Sequence, residues 1–403
     1  MSLPSAPVDP RTGLEAARFG VYVHFPYCLS KCPYCDFAST AAKVVPEARY
    51  TDALLSELAR RVAEHDLRGR PVHSIFIGGG TPSLWQPAHV GRVLDALARA
   101  LKVERGAEVT LEANPGAADA ERFAGYRGAG VTRLSMGVQS FEASTLNALG
   151  RAHDGATAKR AFDAARAAGF DNLSMDFIYG VQGQTVAQVE ADARAAVALG
   201  PEHLSAYALT LDQASLAEEV PLAKQLARGE VRLPDDETVV AMQRVVRDVY
   251  AAAGLRRYEV SNYARAGMHS RHNALYWTGG EYLALGVGAT GFLTLPPRAA
   301  FRYANHRSAE RYLVDVEAGR LPEASREPLS DVERFEERVA MGLRLSTGLA
   351  LEAVCADFGQ DYASRRAVAQ HLVDGGLAAW LGGRLALTDA GFDVHSAIAA
   401  RLM

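Results

Sequence analysis

Short apolar runs that alternate with polar positions, and longer runs of helical period, follow one another over the first two thirds of the chain. Segments 21–25, 72–77, 108–112, 132–137, 173–178 and 203–209 are rich in β-branched, aromatic and other apolar residues and predict six strands. Between them, alanine-rich amphipathic runs predict helices over 47–66, 88–101, 119–129, 155–168 and 185–199, with a further long helix at 235–253. Alternating strands and helices of this length predict an α/β fold with a parallel sheet. Six units with polar or glycine-bearing strand ends suggest a partial (β/α)6 barrel, and a doubly wound sheet gives the same alternation. In either case ligands belong at the C-terminal ends of the strands.

Beyond residue 253 the pattern changes. Segment 257–263 reads as a strand, followed by an irregular stretch holding Arg271-His-Asn-Ala-Leu-Tyr-Trp277, a glycine-rich stretch at 286–291 and a loop at Pro296-Pro297. From Ser330 come three helical stretches and then a hairpin over 377–387, with Gly382-Gly383 at its turn. Helices followed by a hairpin predict a smaller α+β, winged-helix-like module. The expected organisation is an N-terminal tail (1–19), a barrel (20–265), a connecting segment (266–329) and the C-terminal module (330–403).

Composition narrows the function classes. A net charge of −4 over 403 residues gives no global basic field. The C-terminal module carries seven basic against ten acidic residues, the wrong sign for tracking phosphates, so nucleic acid is not an expected partner. Segment 1–20 lacks an apolar leader, and no run approaches the length of a membrane span. Four cysteines do not make a disulfide framework, so a cytoplasmic protein is expected, with peripheral contact at the inner membrane left open.

Three of those cysteines, Cys28, Cys32 and Cys35, share one loop directly after the first strand. Three thiolates at C-x3-C-x2-C spacing can hold three irons of a [4Fe–4S] cluster and leave the fourth open as a reaction site. Zinc is the alternative, with His24 as fourth ligand. The aromatics Tyr22, Phe25, Tyr27, Tyr34 and Phe37 around the loop favour a cluster, whose potential depends on solvent exclusion. Cys355 reads as a small buried apolar residue. Next, Gly78-Gly79-Gly80-Thr81-Pro82 ends a strand with glycines that let a ligand approach the backbone. Without a Walker lysine it is not a P-loop. Glu112, Gln139, Arg151 and Asp176 recur at or after later strand ends and together form a ring of hydrogen-bonding groups at one rim.

In this order, Cys-x3-Cys-x2-Cys, Gly-Gly-Gly-Thr-Pro, Ser-Met-Gly-Val-Gln-Ser-Phe, Leu-Gly-Arg-x-His and Asp-Phe-Ile-Tyr-Gly resemble the radical S-adenosylmethionine superfamily, in its oxygen-independent coproporphyrinogen III oxidase branch. The resemblance spans roughly residues 18–392. It implies that the open iron binds S-adenosylmethionine and that an electron donor supplies the cluster. It also implies cofactor contacts at Tyr22, Gly79, Gly80, Thr81, Glu112, Gln139, Arg151 and Asp176, with Tyr34 beside the cluster.

Two activities occur in that branch: decarboxylation of coproporphyrinogen III, and a chaperone activity that carries haem b as cargo to acceptor haemoproteins such as respiratory enzymes. Three features resemble the chaperones. The oxidases continue Cys-x-Cys where this chain has Asp36-Phe37; only 27 residues precede Cys28; and His272-Asn273-Ala274-Leu275-Tyr276-Trp277 matches an H-N-x-x-Y-W haem motif. A histidine is a good axial ligand and large aromatics cover a flat macrocycle, so His272, Asn273, Tyr276 and Trp277 are the expected haem residues, with His269 as alternative ligand. The alternative for His272 is a satisfied histidine in an aromatic packing cluster. Two positions depart from the chaperone pattern: Thr290 stands where a histidine is commoner, and Asp212-Gln213 where a Glu-Pro turn is commoner.

Overall fold

The computed structural model describes residues 19–116, 120–211, 220–295 and 299–403; the expectations for the tail ahead of Phe19, for Asp212-Gln213 and for Pro296-Pro297 lie outside the described residues. Six parallel strands form where the apolar pattern places them: β1 (Phe19–Phe25), β2 (Pro71–Gly79), β3 (Lys102–Ala113), β4 (Arg133–Gln139), β5 (Leu173–Tyr179) and β6 (His203–Ala208). Helices α1 (Glu47–Glu64), α2 (Pro87–Ala100), α3 (Ala120–Ala129), α4 (Gly155–Ala167) and α5 (Val186–Ala198) connect them, and α6 (Asp236–Ala252) follows β6. Local chemistry sets several starts. Asp154 and Asp235 cap α4 and α6, and Thr185 with Gln188 forms a capping box on α5.

Strand order decides between the two α/β architectures. Each strand from β1 to β6 lies beside its successor in sequence, with no reversal of direction. A doubly wound sheet needs such a reversal; the observed order is that of a partial barrel. Along each strand one set of side chains, including Val21, Val23, Ile75, Ile77, Leu134, Met136, Met175 and Leu204, is fully buried against the helices. The alternate set faces the concave side: Phe76, Glu112, Ser135, Asp176 and Ser205. Register brings the polar members together, with Glu112 opposite Ser135 and Asp176 opposite both Gly137 and Ser205.

The sheet extends beyond the six. Segment 257–263, expected as one strand, is two short antiparallel strands, β7 (Arg256–Arg257) and β8 (Asn262–Ala264), which close the β6 edge. Glu259 is the reason: its buried carboxylate accepts the Ser261 N–H at 2.7 Å and bends the chain between them. Helix α7 (Arg271–Trp277) carries the His-Asn-x-x-Tyr-Trp segment. Strand β9 (Glu281–Gly286) then runs parallel to β1 on its other side. Strands β10 (Thr290–Leu295), β11 (Ala299–Asn305) and β12 (Glu323–Leu329) continue outward antiparallel, completing twelve strands.

A buried network ties this extension to α1. Arg61 Nε donates to Glu57 at 2.8 Å, Nη1 to Glu323 at 2.8 Å and Nη2 to Asn305 at 2.7 Å, while Tyr312 donates to Glu57 at 2.7 Å. Removing one partner would strand a buried charge, so the network fixes how β9–β12 sit against β1. The C-terminal module has its own core around Phe335, Val339, Leu372 and Leu385. It is built from α8 (Asp331–Gly342), α9 (Leu351–Asp357), α10 (Tyr362–Asp374) and a hairpin, Ala378–Leu381 with Arg384–Leu387. Gly382 and Gly383 both take positive φ at its turn, and Cys355 is fully buried in its core. Among the described residues no helix is long and apolar enough to cross a membrane.

Candidate functional site

A cavity of about 420 Å³ opens at the C-terminal ends of the parallel strands. Its mouth is the cysteine loop. Two-residue strands, Tyr27–Cys28 and Thr40–Ala41, clasp the loop's ends, and Cys35 N–H donates to Cys32 O at 3.2 Å inside it. The glycine motif holds the loop from below: Gly80 N–H donates to Phe25 O at 2.7 Å and Thr81 N–H to Tyr27 O at 2.9 Å. A Cβ at Gly80 would lie 2.8 Å from the Pro26 and Tyr27 backbone. Gly79 has φ +118°, and a Cβ there would strike the His24 ring at 2.7 Å. Only glycine allows this approach.

All three loop thiols line the cavity and receive hydrogen bonds, Cys35 from the Phe37 backbone. Thr81 Oγ1 donates to Cys28 Sγ at 3.4 Å and Arg151 Nη1 to Cys32 Sγ at 3.6 Å. Burial pushes the Cys28 and Cys35 thiols up, opposed at Cys28 by the Thr81 hydroxyl. The donor set fits an iron–sulfur cluster: three thiols, donors aimed at sulfur, and at position 37 an exposed phenylalanine. Zinc would need His24 as fourth ligand. Its Nε2–H instead donates to Ala38 O at 2.9 Å, and its Nδ1 accepts the Tyr22 hydroxyl at 3.0 Å, leaving no nitrogen to give. Burial accordingly lowers His24 to about 4.

Deeper in the cavity stand two acids and two guanidiniums. Glu112 accepts the Gly79 N–H at 3.0 Å; burial and then the nearby Asp176 push it up to about 8. Burial also raises Asp176, opposed by Ser205, Arg133 and Ser135, the last at 3.0 Å. Arg151 Nη2 donates to Asn114 Oδ1 and Gly137 O, both at 2.8 Å. Buried Arg133 Nε and Arg151 Nε have no hydrogen-bond partner among the described residues. Two unsatisfied guanidinium donors and two acids in one concave wall fit a zwitterionic ligand such as S-adenosylmethionine. Gln139 also lines this wall, at φ 65°, where a β-bulge interrupts the pairing of β4 with β5. Backbone strain and a bulge there turn its side chain inward.

Of the residues expected at the site, Tyr34, Gly79, Gly80, Thr81, Glu112, Gln139, Arg151, Asp176 and the three cysteines all line the cavity. Tyr34, raised to about 12 mainly by burial, is drawn down by the adjacent Arg151. Tyr22 is not part of the lining; it stands behind Phe76, ring centroids 6.2 Å apart, and orients His24. Sequence reading passed over Asn114, Arg133, Ser135, Ser205 and Tyr207, which also line it. A charged residue at the start of an apolar strand was a usable signal for Arg133; for the hydroxyls there was none.

Helix α7 divides its motif between two spaces. Asn273 lines the first cavity, whereas Tyr276 and Trp277 line a second one of about 570 Å³ beside the C-terminal module. His272 lies between them and is 1% exposed. Its Nδ1 is 3.0 Å from Ser74 Oγ, its Nε2 is 2.9 Å from the Tyr276 hydroxyl, and its ring stacks on Phe76 at 5.3 Å. Burial lowers it to about 3. Both nitrogens are committed, so in this structure His272 is the packed, satisfied histidine and not an open iron ligand. His269 rests edge-on against Tyr258 at 4.7 Å, and Thr290 pairs with Ala304 at the start of β10; neither lines either of these two cavities.

Comparison with known proteins accords with this geometry. Residues 22–196 match the radical SAM superfamily and residues 329–394 the HemN C-terminal domain. The heme chaperone HemW of Haemophilus influenzae is 39% identical over 73% of this chain and 75% of its own length. Its namesake in Mycobacterium tuberculosis is 36% identical over 96% of this chain and 95% of its own. Among solved structures, coproporphyrinogen III oxidase (HemN) from Escherichia coli superposes with a TM-score of 0.79 over 96% of this chain and 90% of that one; at 20% identity this shows the fold alone. The chain belongs to the radical SAM superfamily and, within it, to the heme chaperone HemW family.

Proposed function

We propose that the chain is a haem chaperone that binds haem b and delivers it to acceptor haemoproteins, with a [4Fe–4S] cluster on Cys28, Cys32 and Cys35 and S-adenosylmethionine in the first cavity. The observation that carries this reading is helix α7. One seven-residue element presents Asn273 to the cluster cavity and Tyr276 and Trp277 to a second, aromatic-walled cavity. Membership of the HemW family supports the same reading.

When bound, the cluster would supply an open iron for the amino and carboxylate groups of S-adenosylmethionine and a source of single electrons. The protein's own groups do the rest. Arg151 and Thr81 hold sulfur, Gly79 and Gly80 admit the ligand to the backbone, and Arg133 offers a charge-assisted donor to a carboxylate. Glu112 and Asp176 suit ribose hydroxyls, and oxygen near them suits a sulfonium. His272 serves as a positioning residue, holding Tyr276 at the second cavity. An external electron donor is required, and the four free thiols fit a reducing, cytoplasmic compartment.

Anaerobically reconstituted protein tests the cluster assignment. A brown protein with a charge-transfer band that disappears in the triple Cys28→Ala, Cys32→Ala, Cys35→Ala variant supports it, and a colourless, zinc-loaded protein contradicts it. Turnover of coproporphyrinogen III by the same sample would replace the chaperone reading with the oxidase one.

A further inference from the structure

The second cavity lies where β9, β10 and β11 meet α7 and helix α8 of the C-terminal module. Its walls are Tyr276, Trp277, Tyr282, Phe292, Met341 and Phe358. Such surfaces accept a flat aromatic body, and about 570 Å³ falls within the ~300–1,000 Å³ of small-molecule sites. The charged groups at its edge are mostly committed. Arg302 Nη2 donates to both Glu337 oxygens, at 2.7 and 2.8 Å, and Arg334 pairs with Asp331 at 3.3 Å while lying over Phe358.

Two lining residues keep a buried donor without a partner among the described residues: Trp277 Nε1 and Arg338 Nη1. An indole N–H and a guanidinium only donate, so the missing group is an acceptor. Burial opposes the Arg338 charge and Arg384 opposes it further, with the Asp357 charge, at the same cavity, favouring it. Gly279 makes the room: a Cβ there would lie 2.4 Å from Arg338 Cδ and 2.7 Å from Nη1. One guanidinium with an unmet donor, inside aromatic walls, matches a single carboxylate better than a phosphate, which draws several cations or backbone N–H groups.

We infer that this cavity binds a flat aromatic carboxylate, with the carboxylate received by Arg338 and Trp277 and the ring system held among Tyr276, Tyr282, Phe292 and Phe358. The inference rests on the haem reading in taking a porphyrin propionate as that carboxylate.

The test uses the full chain and iron-free protoporphyrin IX, whose binding needs no axial ligand, followed by quenching of tryptophan fluorescence and assigned with Trp277→Phe. Wild type should bind the free acid saturably and at least tenfold more tightly than the dimethyl ester. In Arg338→Met the acid should weaken at least tenfold, to the level of the ester, with the ester unchanged, and Arg338→Lys should recover part of the loss. No saturable quenching, or equal binding of acid and ester by wild type, overturns the inference, and this comparison needs no variant to fold. A folded Arg338→Met that binds the acid as wild type does overturns it too. Haem titration separates the two levels: haem bound with undiminished affinity by Arg338→Met leaves the chaperone reading standing while this site falls.

Discussion

Arg151 Nη1 lies 3.6 Å from Cys32 Sγ while its Nη2 is held at 2.8 Å by both Asn114 Oδ1 and Gly137 O. One side chain thus ties the cysteine loop to the ends of β3 and β4, and places a fixed cation beside the Cys32 sulfur. A cation and a hydrogen bond at sulfur stabilise the more negative, reduced cluster. Arg151→Met should therefore lower the reduction potential of the reconstituted cluster, read by spectroelectrochemical titration, while cluster content stays near wild type. An unchanged potential would mean that the guanidinium acts only on the loop.

Glu112 sets a pH dependence. Its folded value of about 8 lies above the ordinary 4.5, so between those limits the folded protein keeps a proton that the unfolded chain releases. Stability of the chain without bound cofactor should fall as pH rises from about 4.5 to 8 and stay low above it. The fall contributed by this group is on the order of 5 kcal/mol at most. Glu112→Gln should flatten that limb, so that its melting temperature exceeds wild type at pH 8 by more than at pH 5. Equal differences at both pH values would contradict the assignment.

His24 and His272 give the opposite sign on the acid side. Burial holds them at about 4 and about 3, below the ordinary 6.5, so the unfolded chain takes up protons first. Their stability contribution is complete above 6.5 and is lost as pH falls toward 3. His272→Gln, which can still reach Ser74 and Tyr276, should weaken this acid limb and keep a Soret band with bound haem. Loss of the Soret band in a folded His272→Gln protein would show that α7 rearranges and frees the ring for iron.

Gly80→Ala tests the clamp between the glycine motif and the cysteine loop. The added methyl would meet the Pro26 and Tyr27 backbone at 2.8 Å, neither of which is a flexible chain end. Overpacking of this kind costs about 1–3 kcal/mol, and here it displaces the loop. Iron and sulfide content after reconstitution should drop sharply. By contrast, Gly106→Asn should leave it unchanged, because nothing lies within 4 Å of a Cβ there and asparagine tolerates its φ of +87°.

Much of the fold was legible because each of β1–β6 sets one row of apolar side chains against the helices, an alternation that reads as a strand. The order of the strands was not, since alternation alone is blind to which neighbour each strand chooses. The bend at Glu259 was hidden because it depends on a carboxylate accepting the Ser261 N–H, a contact within two residues that the strand-like alternation of 257–263 does not reveal. At the site, the cysteines, glycines and strand-end acids announced themselves by type and spacing. His272 did not, because a ligand and a packed ring look alike in sequence; its partners in the fold, Ser74 on β2 at 3.0 Å and Tyr276 at 2.9 Å, tell them apart. Arg338 lies 61 positions beyond Trp277, and no local pattern joins them.

Haem carriage is the activity that the rest of the proposed function depends on. Titration of haem into the anaerobic, cluster-loaded protein, followed at the Soret band and then by mixing with an apo-haemoprotein, tests it most directly. The expected result is a saturable Soret shift at one haem per chain that moves to the acceptor's spectrum on mixing. A linear, unsaturable titration with no transfer, from a protein whose cluster is intact, would contradict it.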